Sequence, residues 1–237
     1  QLPHAPAATG HRLRMNAPTA LLFDLDGTLL DTAPDMGGAL NRLRVEEGRE
    51  PLPMQTLRPV VSHGAARLVK VGFPDAVDAE FERLRLRFLA IYSQHLAEGT
   101  QPFPGLLALL DELERRALPW GVVTNKPGWL TDPLLARLGL FDRAACIVSG
   151  DTTSERKPHP LPLLHAAELI GHRPAQCLYV GDAERDIQAG RAAGMRTIVA
   201  AYGYIADSDT PDAWDATGRI EHPSQLLEWL DRVEVGA

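Results

Sequence analysis

Two aspartates one residue apart, Asp24 and Asp26, stand where an apolar run stops. Thr19-Ala20-Leu21-Leu22-Phe23 precedes them, and Gly27-Thr28-Leu29-Leu30-Asp31-Thr32 follows. The run reads as a buried strand. Positions two apart in a strand face the same side, so both carboxylates can project together at the strand end. In an open α/β sheet that edge is where ligands bind. Gly27 permits the sharp turn that must follow, having no Cβ in the way. Carboxylates this close repel, and they invite a cation or a shared proton. A hard cation such as Mg²⁺ takes carboxylate oxygens together with a bound phosphate. Taken alone, a D-x-D pair is more often a turn whose aspartates bond nearby amides.

Three further groups fall where strands or loops should reach the same edge. Thr124-Asn125-Lys126 follows the apolar run Trp120-Gly121-Val122-Val123, and its hydroxyl and amide suit phosphate oxygens. In isolation it is a strand-end turn. Lys157-Pro158 precedes a helix, and by itself a lysine there is a solvated surface residue. Gly181-Asp182-Ala183-Glu184-Arg185-Asp186 follows the run Cys177 to Val180, with carboxylates four apart on one face of a helix start. An acidic first turn alone also suits the helix dipole. A fourth segment, Ser62-His63-Gly64-Ala65, opens a helix whose N-terminus can present amides to an anion, with Arg67 one turn in. An ordinary capped helix with a surface arginine explains it equally well.

The elements that must position these groups follow from the apolar periodicity. From Asp31 to about Pro102 the pattern is helical, with no convincing strand. Helices are expected to Gly48, over Thr56 to Val61, from Ser62 onwards, and through Val77, Phe81, Leu84, Phe88, Ile91, Tyr92 and His95 to near Gly99. Beyond Pro104-Gly105 the pattern alternates. Helices over Leu106–Ala117, Trp129–Leu138, Pro160–Ile170 and Ala183–Ala193 interleave with strands over Trp120–Asn125, Ala144–Ser149, Cys177–Val180 and Arg196–Ala201, before a last helix over Ser224–Arg232. Such alternation argues for a parallel sheet covered on both faces.

The 237 residues are 45% hydrophobic and 23% charged, an ordinary globular composition, and carry a formal net charge of −7. That balance leaves no electrostatic footprint for nucleic acid. An anionic substrate therefore needs local positive charge. Cys146 and Cys177 lie in apolar runs and read as buried free thiols. No run approaches membrane-spanning length. The first residues lack the apolar core of a signal peptide, and residues 1–17 read as a loose tail. The expectation is a soluble cytoplasmic protein with no membrane partner, a monomer or homodimer. His159, His165 and His172 match no metal-site spacing.

Taken in order, Asp-Leu-Asp-Gly-Thr-Leu, Thr-Asn, Lys-Pro and Gly-Asp-x-x-x-Asp resemble the four signatures of the haloacid dehalogenase superfamily in its phosphatase form. The resemblance spans residue 19 to about 232. It implies an α/β fold: a Rossmann-like parallel-sheet core over residues 18–30 and 103–237, with an inserted all-helical cap domain over 31–102. It implies that Asp24 is the nucleophile, forming an aspartyl-phosphate, and that Asp26 is the general acid and then the base. It implies Mg²⁺ held by Asp24, Asp182 and the Asp26 carbonyl. Asp186 would bind metal waters or orient Lys157, and Thr28 would support the loop. Lys157, Thr124 and Asn125 would hold the phosphoryl oxygens. Aspartate at position 26 argues against the dehalogenase branch, and against phosphonate hydrolysis.

The cap should then set specificity, with His63, Gly64 or Arg67 holding a substrate carboxylate. The stretch from Asp24 to Asp35 resembles bacterial phosphoglycolate phosphatases. Val61 to Ala65, Trp120 to Pro127 and Ala201 to Ile205 resemble the proteobacterial subgroup that includes N-acetylmuramic acid 6-phosphate phosphatase. The resemblance thus implies a small phosphorylated metabolite carrying a carboxylate. Phosphoglycolate comes first and the muramate is the alternative. A sugar phosphomutase and a non-catalytic binding protein on the same scaffold are further readings.

Overall fold

In a computed structural model the chain forms a three-layer α/β core with a helical insertion. The structure describes residues 17–234; all but the last residue of the expected tail, 1–17, lies outside them. Six parallel strands make the central sheet: β1 (Ala20–Phe23), β4 (Trp120–Val123), β5 (Ile147–Val148), β6 (Cys177–Gly181), β7 (Arg196–Ala200) and β8 (Gly218–Ile220), in the order β5-β4-β1-β6-β7-β8. Strand β1 is central. Its Leu21 and Phe23 face one layer, and its Ala20 and Leu22 the other. The first layer holds α5 (Leu106–Arg115), α6 (Gly128–Arg137) and α9 (Gln225–Glu234), while α7 (Leu161–Leu169) and α8 (Glu184–Ala192) cover the second.

The chain leaves β1 for β4 on one side and later returns to β6 on the other. A crevice therefore opens at the carboxyl end of β1. Register brings Phe23 level with both Val122 and Val180. The residues that follow, Asp24, Thr124 and Asp182, come off neighbouring strands at that one edge.

The insertion consists of α1 (Ala33–Glu46), α2 (Met54–Leu57), a 3₁₀ turn (Arg58–His63), α3 (Gly64–Gly72) and α4 (Asp78–Gln94). Its long helices present Met36, Leu40, Leu43, Leu84, Phe88 and Tyr92 to a shared interior that is continuous with the core. The block is not free of strands, as the periodicity suggested. β2 (Leu30–Asp31) and β3 (Gln101–Pro102) pair antiparallel where the chain enters and leaves the insertion. Two residues per strand are too short to show alternation, and Pro102 disguises the second. Asp35 closes this crossing, accepting from the Gly99 and Thr100 amides at 2.7 and 3.0 Å and from the Thr100 hydroxyl at 2.6 Å. Strand β5 is shorter than the expected Ala144–Ser149, and β8 was not expected at all, since Gly218-Arg219-Ile220 carries no apolar run.

Candidate active site

Everything converges on the carboxyl end of β1. Asp24 is buried, its amide tied to the Val180 carbonyl at 2.9 Å. The chain then turns at Gly27 (φ +84°), where a Cβ would come within 2.1 Å of the Asp182 carboxylate. Glycine is required there both by conformation and by the approach of Asp182.

Lys157 supplies the buried positive charge. Its ammonium donates to Asp24 Oδ1 at 2.8 Å, Asp186 Oδ1 at 2.7 Å and the Val123 carbonyl at 2.9 Å, with the Tyr179 hydroxyl at 2.7 Å. Asp186 Oδ2 accepts the Ala183 amide at 3.0 Å. Asp186 thus orients the lysine from the start of α8. Burial works to raise its pKa, but Lys157 and Arg185 outweigh that and hold it below the usual carboxylate range. Asp24 goes the other way. Burial, helped by the charge on Asp186, lifts it to about 6 against the pull of Lys157 and Arg185.

Asp182 has hydrogen-bond partners of its own, none of them shared with the lysine. Its Oδ2 accepts the Tyr204 amide at 2.8 Å and the Ser62 hydroxyl at 2.7 Å, while Thr28 reaches Oδ1 at 3.5 Å. Burial, then the charges of Asp24 and Asp186, push Asp182 up to about 7. Carboxylate oxygens of Asp24, Asp182 and Asp186 all lie within 4.8 Å of one another. Ser62 Oγ also lies 3.1 Å from the Asp26 carbonyl. One hydroxyl proton thus faces two acceptors, the Asp26 carbonyl and Asp182 Oδ2. A ring of hard oxygens short of protons, with two carboxyls of raised pKa, fits a divalent cation such as Mg²⁺.

Asp26 extends away from this cluster. Its Oδ1 accepts from the Thr32 hydroxyl at 2.7 Å and pairs with the Lys126 ammonium at 3.0 Å. Lys126 is itself buried, 4.7 Å above the centre of the Tyr92 ring of α4. Burial opposes its charge, but Asp26 and Tyr92 outweigh that and hold its pKa above the ordinary lysine value.

The structure brings together Asp24, Asp26, Thr28, Thr124, Lys157, Asp182 and Asp186. Asn125 makes a contact that the sequence did not reveal. Its amide clamps the Lys157 backbone, donating to the carbonyl at 2.9 Å and accepting the amide at 3.0 Å. Asn125 lines the crevice together with Thr124, and the second N–H of its amide is not used by this clamp. His63 and Gly64 line the crevice at the start of α3, with Ala65 and Ala66. Arg67 does not. The helical turn that buries Leu68 and Val69 carries it out to solvent. Sequence reasoning missed Ser62, Lys126 and Arg185 as site residues. Arg185 Nη2 donates to the Ser62 carbonyl at 2.5 Å, so Ser62 is held to the acidic cluster by its hydroxyl and to Arg185 by its backbone. All three lie inside the quoted motifs, but only side-chain direction reveals their use.

The crevice encloses about 590 Å³ between core and insertion. Its floor carries Asp24, Asp26, Thr124 and Arg185, and its walls carry Met36, Phe88, Leu89 and Tyr92. A family model for haloacid dehalogenase-like hydrolases matches residues 21–200. The chain belongs to that family. A phosphoglycolate phosphatase from Xylella fastidiosa is 47% identical over 209 residues, covering 88% of this chain and 91% of its own length. An N-acetylmuramic acid 6-phosphate phosphatase from Pseudomonas aeruginosa is 42% identical over 222 residues, covering 93% and 97%. The crystal structure of a predicted phosphoglycolate phosphatase from Haemophilus somnus superposes with a TM-score of 0.81 at 24% identity, covering 91% and 99%; it bears on the fold alone. Among the described residues, no helix is long and apolar enough to cross a membrane.

Proposed function

We propose that the protein is a Mg²⁺-dependent phosphomonoesterase that works through an aspartyl-phosphate on Asp24. The observation that carries this reading is the Lys157 ammonium, buried between Asp24 and Asp186. It neutralises the nucleophile's surroundings, so that an ionised carboxylate can meet a negatively charged phosphoryl group. Asp24 attacks phosphorus with the oxygen that Lys157 does not hold. Asp26 gives a proton to the departing ester oxygen, then takes one from the water that hydrolyses the aspartyl-phosphate. Thr32 and Lys126 fix the Asp26 carboxyl for both duties. Thr124, Asn125 and Lys157 bind phosphoryl oxygens, and Asn125 also fixes Lys157. Asp24, Asp182 and the Asp26 carbonyl hold Mg²⁺, which supplies further neutralisation of phosphoryl charge when bound.

In this reading residues 18–30 and 103–237 form the core domain and 31–102 the cap, hinged at β2 and β3. Substrate enters between them. The relatives carry two substrate names, and the size of the crevice favours the larger. Pockets of about 300–1,000 Å³ enclose ligands of many heavy atoms, and a two-carbon phosphate leaves most of 590 Å³ unfilled. N-acetylmuramate 6-phosphate therefore fits better than 2-phosphoglycolate. The unpaired, buried Cys146 and Cys177 suit a reducing compartment, in keeping with a cytoplasmic site of action.

Phosphate release with Mg²⁺ from both compounds, measured side by side as kcat/KM, tests the proposal. The muramate should be preferred, and Asp24→Asn should abolish release. Turnover retained by pure Asp24→Asn protein would end the mechanism. Interconversion of hexose phosphates without phosphate release would replace it with a mutase.

A further inference from the structure

Two large apolar side chains at the rim of the crevice have no role in the chemistry described. Trp129 is 53% exposed and Leu86 is 55% exposed, and both line the cavity that has Asp24 and Asp26 at its floor. They come from opposite sides. Trp129 stands in the first turn of α6 in the core, five residues after Thr124, and Leu86 stands on α4 of the cap. Leaving an indole in water forgoes a large burial gain, and exposed apolar groups clustered at a concave site mark a binding surface.

The rim is also rigid. Pro127 precedes α6, and the Gly128 amide donates to Asp151 Oδ1 at 2.8 Å. The Leu130 and Thr131 amides both bond the Pro127 carbonyl, and the Thr131 hydroxyl reaches the Lys126 carbonyl at 3.2 Å. The backbone that carries Trp129 is therefore the backbone that carries Thr124 and Lys126. An aromatic plane is held in register with the reacting centre. Arg156 lines the same cavity, with Nε fixed on the Gly150 carbonyl at 2.6 Å and the outer edge of its guanidinium left for an anion.

We propose that Trp129 and Leu86 are specificity-determining residues that grip the non-phosphate body of the substrate. This rests on the phosphomonoesterase reading above. The body is a saturated ring of hexose size bearing an acyl group and a carboxylate. The indole lies against the C–H face of the ring, Leu86 packs on the ring or its acyl methyl from the cap side, and Arg156 takes the carboxylate. Because Leu86 travels with the cap, only a substrate broad enough to touch both sides draws the two domains together. A two-carbon phosphate reaches neither.

Trp129→Ala, Trp129→Phe and Leu86→Ala test this in the full chain with Mg²⁺, on N-acetylmuramate 6-phosphate and 2-phosphoglycolate. Trp129→Ala should lower the ratio of kcat/KM for the muramate over phosphoglycolate about tenfold or more, mainly through KM. Leu86→Ala should lower it about threefold or more, and Trp129→Phe should retain most of it. Equal losses on both substrates would show a merely structural role and overturn the proposal. A wild-type protein that prefers phosphoglycolate would overturn it too, while leaving the phosphatase reading intact. Binding is read separately from turnover in the Asp24→Asn background. The muramate should change the tryptophan fluorescence, and Trp129→Phe should abolish that change. If neither compound is hydrolysed by the wild type but the fluorescence change appears and depends on Trp129, the subsite stands and the catalytic reading falls. No fluorescence change with the muramate overturns the subsite.

Discussion

Magnesium should compete with protons for the acidic cluster, and the structure sets the size of the effect. Asp182 is lifted to about 7, first by burial and then by the charges of Asp24 and Asp186. Asp24 is lifted to about 6, first by burial and then by Asp186. A cation held by both needs both ionised. At about pH 5.5 the competing proton weakens binding about thirtyfold at Asp182 and about fourfold at Asp24, if each titrates alone. At about pH 8 neither costs more than roughly a tenth. The two factors together give about a hundredfold, or ~2.7 kcal/mol. The charge on Asp24 is one cause of the rise at Asp182, so a proton on either relieves the other. The realised loss of affinity therefore lies below a hundredfold, with the roughly thirtyfold at Asp182 as its floor.

The sign for stability follows from the same shifts. A carboxyl whose folded pKa is raised binds its proton more tightly in the folded state, so its favourable contribution is complete at low pH. That contribution is lost as pH climbs from about 4 through about 7. Magnesium acts in reverse and adds most stability above that window. Titrating the ion at about pH 5.5, 6.5 and 8 by calorimetry, in two buffers of different ionisation enthalpy, measures both affinity and released protons. Thermal melts with and without the ion measure the stabilisation. Affinity should rise about thirtyfold to a hundredfold from the lowest pH to the highest, and proton release should fall towards zero. An affinity that is flat with pH, or stronger in acid, would refute the placement of two raised-pKa carboxyls at the ion.

Other substitutions probe single contacts. Asn125→Ala removes both hydrogen bonds to the Lys157 backbone; it should cost about 1–3 kcal/mol by urea unfolding, and should lower kcat by loosening the ammonium. Unchanged kcat alongside lost stability would show that the clamp does not align the lysine. Gly27→Ala puts a methyl 2.1 Å from Asp182 Oδ2 at φ +84°; Mg²⁺ should then no longer raise the melting temperature, and a normal Mg²⁺ shift would contradict that approach. Lys126→Met leaves the nearly buried Asp26 carboxylate without its cation; stability should fall by about 3–5 kcal/mol. Asp26→Asn added to Lys126→Met should restore much of that loss, and strictly additive effects in the double-mutant cycle would mean that the pair is not coupled.

The core of the site was legible because its signals are local. A strand end, a glycine and two aspartates lie within one short stretch, and parallel register alone carries Asp24, Thr124 and Asp182 to one edge. What stayed hidden depends on side-chain direction and on pairings far apart in sequence. Asn125 reads only as a phosphate donor until its amide is seen to bond both backbone groups of Lys157, 32 residues on. Lys126 looks like punctuation before a proline, yet burial between Asp26 and the Tyr92 ring makes it the cation of the proposed acid–base group. In the cap, the anion-binding sequence drew the eye to His63, Gly64 and Arg67, whereas the contact with the acidic cluster runs through Ser62. The reason is physical: a helix start advertises its amides in any sequence, but a single hydroxyl becomes informative only when two acceptors share its proton. Ser62 is tied by its side chain to Asp182 and the Asp26 carbonyl, and by its backbone to Arg185. An ion drawn to the Asp26 carbonyl and Asp182 must displace or join that hydroxyl. Cap position and ion binding therefore share a contact, and whatever moves one must bias the other.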